Sequence, residues 1–306
     1  MIPITPVYIP DTGGCDCSVI RLLFDYYKIH NFNRIYEKNN SISLNRPISG
    51  NLINQIIKYD YTDYDDIILY YFNINVNKLK RDVQEIKNYL SRKHPVIVKT
   101  KTYMCPWREN DSTENHCCLI LDYDDMKKAA ICVDPVFTDK LVLFPETNIL
   151  DNITTLSVID TSDLRYKEPL SLYYSIQEWL KNNSLSINTM ETICNIMKTS
   201  VESEQVDSDM IESYLLNSKN SFDINKRYIK IMHYFTYLKE IHNTPWFDQV
   251  IELYETNYKN TINLYSMLMK YQITGNQKIL HRYLDTIDAC NKSEKRANEI
   301  ICKFAF

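Results

Sequence analysis

The chain has 306 residues, which is enough for two ordinary domains or one large domain with a proper hydrophobic core. Hydrophobic residues make up 44% of it, charged residues 24%, and the formal net charge is −4. This slightly acidic balance argues against a nucleic-acid-binding protein, because such a protein needs a basic stripe across a domain. No run approaches about 18 apolar residues, which argues against a membrane span.

The first fourteen residues, MIPITPVYIPDTGG, contain no basic region followed by an apolar run, so we expect no signal peptide. Nine cysteines in a chain without an export signal favour reduced thiols in the cytoplasm. We therefore expect a cytoplasmic protein that binds no membrane and contains no disulfide.

The residues before about 165 alternate between short helical periods and β-branched runs. Hydrophobic spacing predicts two helices, over 15–29 and 77–92. The stretch 114–137 predicts a β-hairpin with a polar turn around residues 124–127. Further strands are predicted at 94–103, 140–145 and 153–160. The order therefore predicts helix, helix and then an antiparallel sheet.

After residue 165 the pattern becomes helical throughout. Long helical periods are predicted at 188–201, 222–242, 246–271 and 276–304. No internal repeat or Gly/Ser linker interrupts them. We therefore expect an α+β chain with two domains, one over 1–165 and an all-helical one over 166–306.

Two of the four glycines precede a cysteine at the start of the first predicted helix. A thiol becomes a good nucleophile when its thiolate is stabilised, and a helix N-terminus does this. Gly13 and Gly14 permit a tight backbone approach to that terminus. Cys15 is therefore the candidate nucleophile.

The predicted hairpin provides partners for this thiol. If its two strands pair around a turn centred on Asp125, His116 and Asp134 face each other. Directly opposed residues have Cβ atoms roughly 4.5–5.5 Å apart, so the carboxylate can orient the imidazole. A nucleophile, a base and a group that orients the base are the components of acyl transfer.

These motifs resemble those of papain-like cysteine proteases. Within that superfamily they are similar to the bacteriocin leader-processing peptidases and to the N-terminal domain of the butirosin biosynthesis protein H family. The matching parts are Cys15 followed by Tyr26-Tyr27, HCCLILDYDD beginning at His116, and ICVDP ending at Asp134-Pro135. The resemblance covers roughly residues 5–165, and its Tyr-Tyr register selects Cys15 rather than Cys17.

The resemblance implies a papain-like catalytic domain with a Cys15–His116–Asp134 triad. It implies an acyltransferase that moves an acyl or peptidyl group from a carrier-protein thioester to a small amine in peptide-like antibiotic biosynthesis. The sequence also resembles the amide-forming cysteine-protease homologues of closthioamide biosynthesis. No cofactor is then held by the chain, because the phosphopantetheine arm comes with the acyl or peptidyl carrier protein.

Two other functions remain open at this point. One is a cysteine peptidase of the leader-processing type, and the other is a non-catalytic papain-like binding module. The peptidases place an oxyanion-hole Gln six residues before the cysteine, and this sequence has Ile9 there. Hydrolysis would then need another donor, such as Thr12 or the Cys15 backbone N–H.

Each candidate also has a structural interpretation. Cys15 could be a buried small apolar residue, His116 a hydrogen-bonded core histidine and Asp134 a turn residue. Cys17 shares a helical face with Arg21 and Lys28, which the pattern places on the outer side, so we interpret it as structural. The CDC and HCC doublets lack the spacing of a zinc site, so we expect no metal.

Two other segments have an undecided role. A basic stretch is either a solvated helix face or a docking surface for an acidic carrier protein; it contains Lys78, Lys80, Arg81, Lys87, Arg92, Lys93, Lys99 and Lys101. The polar loop around Trp107, just before His116, could line an acyl pocket.

Overall fold

The computed structural model describes residues 1–9, 14–37, 42–44, 57–59, 63–107, 115–151, 153–183, 195 and 219–305. The chain forms two compact units: Met1–Phe32 with Asp63–Lys167, and Asn33–Thr62 with Glu168–Phe306. The predicted domain boundary at 165–166 lies close to the junction after Lys167. The grouping of residues 33–62 with the second unit has no counterpart in the sequence pattern.

The first unit is built on one antiparallel sheet of six strands in the order β3-β8-β4-β5-β6-β7. The strands are β3 (Asn75–Leu79), β4 (Val96–Lys101), β5 (Asn115–Asp124), β6 (Ala129–Val133), β7 (Leu141–Pro145) and β8 (Thr155–Asp160). Two shorter strands, β1 (Ile42–Leu44) and β2 (Ile57–Tyr59), pair with each other in the second unit. Strand β5 lies between β4 and β6 and is buried from His116 to Leu121, so it forms the centre of the first unit.

Helix α1 (Cys15–Tyr27) packs its apolar side against β5. Val19, Leu23 and Phe24 are buried on it, as their spacing predicts. Cys17 is fully buried as well, so its predicted place on the outer side of the helix is wrong. Burial continues around this helix because both the sheet and other aromatic residues cover it; the Phe24 ring, for example, makes edge contacts with those of Phe32 and Phe72.

The predicted helix over 77–92 is wrong in its first part. Residues up to Leu79 belong to strand β3, and helix α3 (Val83–Ser91) begins only after Asp82. The Asp82 carboxylate accepts a hydrogen bond from the Gln84 N–H at 2.8 Å, so it caps the helix and sets its start. Helix α2 (Tyr64–Phe72) is capped in the same way by Asp63, and the sequence pattern misses it.

The predicted hairpin is present, but its register differs from the one assumed. Leu119 pairs with Val133 and Tyr123 with Ala130, with a bulge between Ile120 and Asp122. The four-residue turn over 125–128 and the bulge shift the pairing, and β6 ends at Val133. Asp134 therefore lies beyond the paired part of β6 and does not stand directly opposite His116.

After Lys167 the described residues form helices. They are α5 (172–183), α6 (Lys219–His242), α7 (Trp246–Thr261), α8 (Leu264–Thr274) and α9 (Gln277–Ala305), while the short α4 (Glu146–Asp151) belongs to the first unit. The single helix predicted over 246–271 is two helices, because Asn263 takes φ −101° and ψ 0° between them. The helix predicted over 188–201 lies outside the described residues, apart from residue 195.

The fold class is α+β, with an N-terminal helix, an antiparallel sheet and a helical C-terminal region, as predicted for a papain-like chain. Within the described part of the chain, every helix is too short or too polar to cross a membrane.

Candidate active site

The candidate nucleophile begins helix α1 and meets the first residue of strand β5. The Cys15 thiol is partly exposed and lies 3.9 Å from the carbonyl oxygen of Asn115. Asn115 immediately precedes His116 in the same strand. The structure thus brings the start of α1 to the start of β5, which joins two segments about a hundred residues apart.

Gly14 is the residue before the helix, and its backbone conformation explains why glycine stands there. Its φ of 154° and ψ of 162° lie in a region that L side chains rarely adopt. A Cβ atom at this position would meet nothing within 4 Å. The need for glycine is therefore conformational, and the tight approach predicted from the sequence is not the cause at Gly14.

His116 and Asp134 are hydrogen-bonded in the interior of the first unit. Nε2 of the imidazole lies 2.8 Å from Oδ2 of the carboxylate, with His116 3% exposed and Asp134 fully buried. This bond leaves Nδ1 as the ring nitrogen that can exchange a proton with a reacting group. The pairing predicted from the hairpin is thus present, although strand register does not impose it.

The Asp134 carboxylate accepts three hydrogen bonds, which satisfy its buried charge. The Trp107 indole N–H donates to Oδ2 at 2.7 Å, so this oxygen serves both the indole and the imidazole. The Val136 N–H donates to Oδ1 at 3.2 Å, and the Asp134 carbonyl accepts from Thr138 N–H at 3.1 Å. The turn after β6 therefore fixes both the backbone and the side chain of Asp134.

Phe137, which follows in the same turn, covers the imidazole. The two ring centroids are 4.8 Å apart with an interplanar angle of 40°, and Phe137 itself is partly exposed. The Phe137 N–H is anchored by the Asp134 carbonyl at 3.3 Å. An aromatic ring over the base limits the access of water to it.

A charged cluster surrounds the start of α1 on the side of Cys117. Burial raises the pKa of the Cys117 thiol well above its ordinary value, and the charges of Asp16 and Cys15 raise it further. Burial alone would lower the pKa of Lys99, but the carboxylates of Asp16, Asp65 and Asp63 raise it. Cys117 is therefore a protonated thiol close to the candidate nucleophile.

The position that carries Gln in the peptidases is occupied by Ile9, and the structure puts it at the site. The Ile9 N–H donates to the carbonyl of Pro135 at 2.6 Å, while its carbonyl accepts from Ser18 Oγ at 2.8 Å. Residue 9 thus links α1 to the turn that carries Asp134, but its apolar side chain cannot donate a hydrogen bond. The alternative donor, Thr12, lies outside the described residues.

The Tyr26-Tyr27 pair secures the other end of α1. The Tyr27 hydroxyl lies 3.1 Å from Nδ1 of His94, and the Tyr26 hydroxyl donates to the Lys93 carbonyl at 2.8 Å. Both contacts hold the helix against the chain that enters β4. This tyrosine pair therefore positions the helix.

The basic stretch 78–101 does not form a single helix face. Its members occupy β3, α3, β4 and the connections between them. Lys87 bonds to Asp125 and Lys99 lies 3.5 Å from Asp65, while Lys78 and Lys80 are exposed. A docking role for this stretch stays a prediction.

The eight cysteines in the described ranges form no disulfide. In those ranges there is also no group of three His, Cys, Asp or Glu side chains that could hold a metal ion.

A known protein family matches the N-terminal part of the chain. Residues 2–143 match the Peptidase_C39 like family. The matched segment contains Cys15, His116 and Asp134, strands β3 to β6 and the first part of β7. The first unit is therefore similar to papain-like cysteine-protease-type proteins. No curated protein matches the chain.

Sequence reasoning missed Phe137 and Asp16 altogether, and it offered Trp107 only as part of a loop that lines an acyl pocket, not as a partner of Asp134. Trp107 stood out only as an aromatic residue in a polar loop before His116. Nothing local indicates that its indole reaches Asp134, 27 residues further on. Phe137 lies two residues after the Asp134-Pro135 motif. An Asp-Pro pair is typical of a turn, and this is the local feature that could have indicated that Phe137 folds back towards His116.

Proposed function

We propose that this chain is a cysteine-dependent acyltransferase that takes an acyl or peptidyl group from a carrier-protein thioester and gives it to a small amine. The observation that carries the proposal is the buried His116–Asp134 pair beside the residue where the Cys15 thiol meets β5. The similarity to the Peptidase_C39 like family supports cysteine chemistry in the first unit. The proposal goes beyond cysteine chemistry in two respects: the reaction is acyl transfer, and it serves the biosynthesis of a peptide-like antibiotic.

The reaction has two steps. His116 takes the proton of Cys15, and the thiolate attacks the thioester carbonyl, which forms a new S–acyl bond at Cys15. The carrier's thiol leaves with the proton from the imidazolium. The amine then attacks the acyl-enzyme, His116 accepts the amine proton and returns it to the sulfur, and an amide is released. The acyl donor is already activated as a thioester, so no nucleotide is consumed.

Asp134 keeps the imidazole in one orientation and one tautomer, since Nε2–H donates to its Oδ2. Nδ1 then handles the proton of the thiol. The backbone N–H of Cys15 at the start of α1 is the donor we assign to the oxyanion.

One observation favours transfer to an amine over hydrolysis. The position of the peptidases' oxyanion Gln carries Ile9, which has no side-chain donor.

The second candidate is a cysteine peptidase, and the family match favours it because that family is described as peptidase-like. Both candidates require the same acyl-enzyme at Cys15. They differ in the group that releases the acyl chain, which is water in one case and an amine in the other.

The test is intact-mass analysis after mixing the protein with carrier proteins loaded with acyl groups of different length. We expect one acyl adduct per chain, which Cys15→Ala or Cys15→Ser abolishes. Cys17→Ala and Cys302→Ser are the controls, since one thiol is buried in α1 and the other is exposed on α9. An adduct that survives Cys15→Ala overturns the assignment.

Release is tested by adding primary amines or extended peptides to the acylated enzyme. Amide products without peptide cleavage support the acyltransferase. Cleaved peptides without any amide product support the peptidase. An enzyme that neither takes up an acyl group nor cleaves peptides is a binding module.

A further inference from the structure

Oδ2 of Asp134 is shared by two donors, and only one of them belongs to the triad. The Trp107 indole lies 2.7 Å from this oxygen and the His116 imidazole 2.8 Å from it. Oδ1 of the same carboxylate is held by the backbone N–H of Val136. Among the described residues, two side chains donate an N–H to Asp134. One is the base His116, and the other is Trp107.

We propose that Trp107 is a positioning residue that sets the strength of the His116–Asp134 bond. This inference rests on the proposed function, because it concerns the base of that reaction. A second donor on Oδ2 stabilises the negative charge of the buried carboxylate. The carboxylate then attracts the imidazolium proton less strongly, which makes it easier for His116 to pass that proton on during the reaction.

The indole is itself fixed by packing, which a positioning residue needs. Its ring makes an edge contact with Phe144 at a centroid distance of 5.8 Å, and Phe144 is fully buried on β7. Its position relative to Asp134 therefore depends on the sheet as well as on the loop that carries it. The hydrogen bond to Asp134 and the ring contact with Phe144 involve different partners, so each can be removed by its own substitution.

Trp107→Phe removes the N–H and keeps an aromatic ring, whereas Phe144→Leu removes the edge contact and keeps the N–H. The measurement is the rate of Cys15 acylation by an acylated carrier protein between pH 5 and 10. For Trp107→Phe we expect a loss of about tenfold at neutral pH, the size of one charged hydrogen bond. We also expect the acylation rate of Trp107→Phe to reach its plateau at a higher pH than that of the wild-type protein, because loss of the indole donor strengthens the remaining bond between the imidazolium and Oδ2.

The Phe144→Leu variant is expected to keep the wild-type pH profile even if its rate falls. If Trp107→Phe leaves rate and profile unchanged, the proposal is overturned. An equal fall in both variants with an unmoved profile also overturns it, because Trp107 then serves packing alone.

A spectroscopic readout covers the case in which a variant does not fold. In the wild-type protein the indole N–H resonance of Trp107 is expected to shift with pH at the same midpoint as the acylation limb. An indole resonance that does not respond to pH contradicts the proposal.

These outcomes are distinct from failure of the proposed function. If wild-type Cys15 takes up no acyl group, the proposed function fails, and the resonance experiment still tests the shared carboxylate.

Discussion

The His116 imidazole and the Asp134 carboxylate are joined at 2.8 Å although the strands that carry them do not pair these residues. The ladder between β5 and β6 ends at Leu119 and Val133, and the chain turns after it. The turn holds Asp134 through Val136 N–H on Oδ1 and Trp107 N–H on Oδ2. The pair is therefore maintained by side-chain and turn contacts, which makes it sensitive to single substitutions.

Asp134→Asn tests the orienting role. The amide has only one acceptor oxygen, so it cannot accept at both positions as the carboxylate does, and it stabilises an imidazolium less well. We therefore expect acylation of Cys15 to slow by about a hundredfold or more. Asp139→Asn is the matched control, because this exposed residue lies in the same connection between β6 and β7 and loses the same charge. The measurement is the rate of adduct formation by mass spectrometry. Equal rates in the two variants would contradict the role of Asp134.

The thiols should differ in reactivity according to their burial. Burial raises the pKa of both Cys117 and Cys118; for Cys118 a hydrogen bond with Cys132 is the larger cause. We expect iodoacetamide to modify Cys15 and the exposed Cys302 in the folded protein well before Cys117 or Cys118. Peptide mapping after timed alkylation measures this order. Early modification of Cys117 would show that the start of β5 is open.

The second unit depends on a buried ion pair between Arg227 on α6 and Glu294 on α9, both fully buried. Glu294→Gln leaves the guanidinium without its counter-charge, and we expect it to lower the free energy of unfolding by about 3–5 kcal/mol. The double variant Arg227→Met, Glu294→Leu removes both charges and should lose much less. Urea unfolding of the three proteins measures the difference. A double variant that loses as much stability as Glu294→Gln, or more, would contradict coupling between the two residues.

Alkaline pH should destabilise the second unit. Burial raises the pKa of Tyr228, Tyr234 and Tyr254 in the folded state. Below pH about 10 the tyrosines are protonated in both states, and above it only the unfolded chain loses these protons. The contribution of these tyrosines to the free energy of unfolding should therefore stay constant up to that pH and fall above it.

Tyr254→Phe isolates one contribution. Its hydroxyl is buried and has no hydrogen-bond partner among the described residues, so the substitution should cost little stability at neutral pH. The alkaline slope should become shallower by about 1.4 kcal/mol per pH unit. Urea titrations from pH 8 to 12 measure this slope. An unchanged slope would mean that Tyr254 ionises in the folded state.

The resemblance and the local pattern together predicted the α+β class, the start of α1 at Cys15 and the hairpin that carries His116. These features depend on neighbours close in sequence: apolar spacing, a glycine before a helix, a polar turn between β-branched runs. The same reasoning missed α2 and extended α3 through β3, because an isolated run of apolar and aromatic residues does not distinguish a helix from a strand. The sequence pattern also predicted that Cys17 lies on the outer side of α1, because Arg21 and Lys28 share its helical face. The packing that buries Cys17 comes from residues far away in the sequence.

What the sequence determined by itself is therefore the set of chemical groups and the secondary structure around them. The tertiary structure alone decided the register of β5 and β6, the third donor on Asp134 and the position of Ile9 between α1 and the turn. Each of these depends on contacts between segments far apart in the chain. Such contacts form only when a common core brings the segments together, and hydrophobic burial, which drives that assembly, is non-directional and leaves no local signature of the partners.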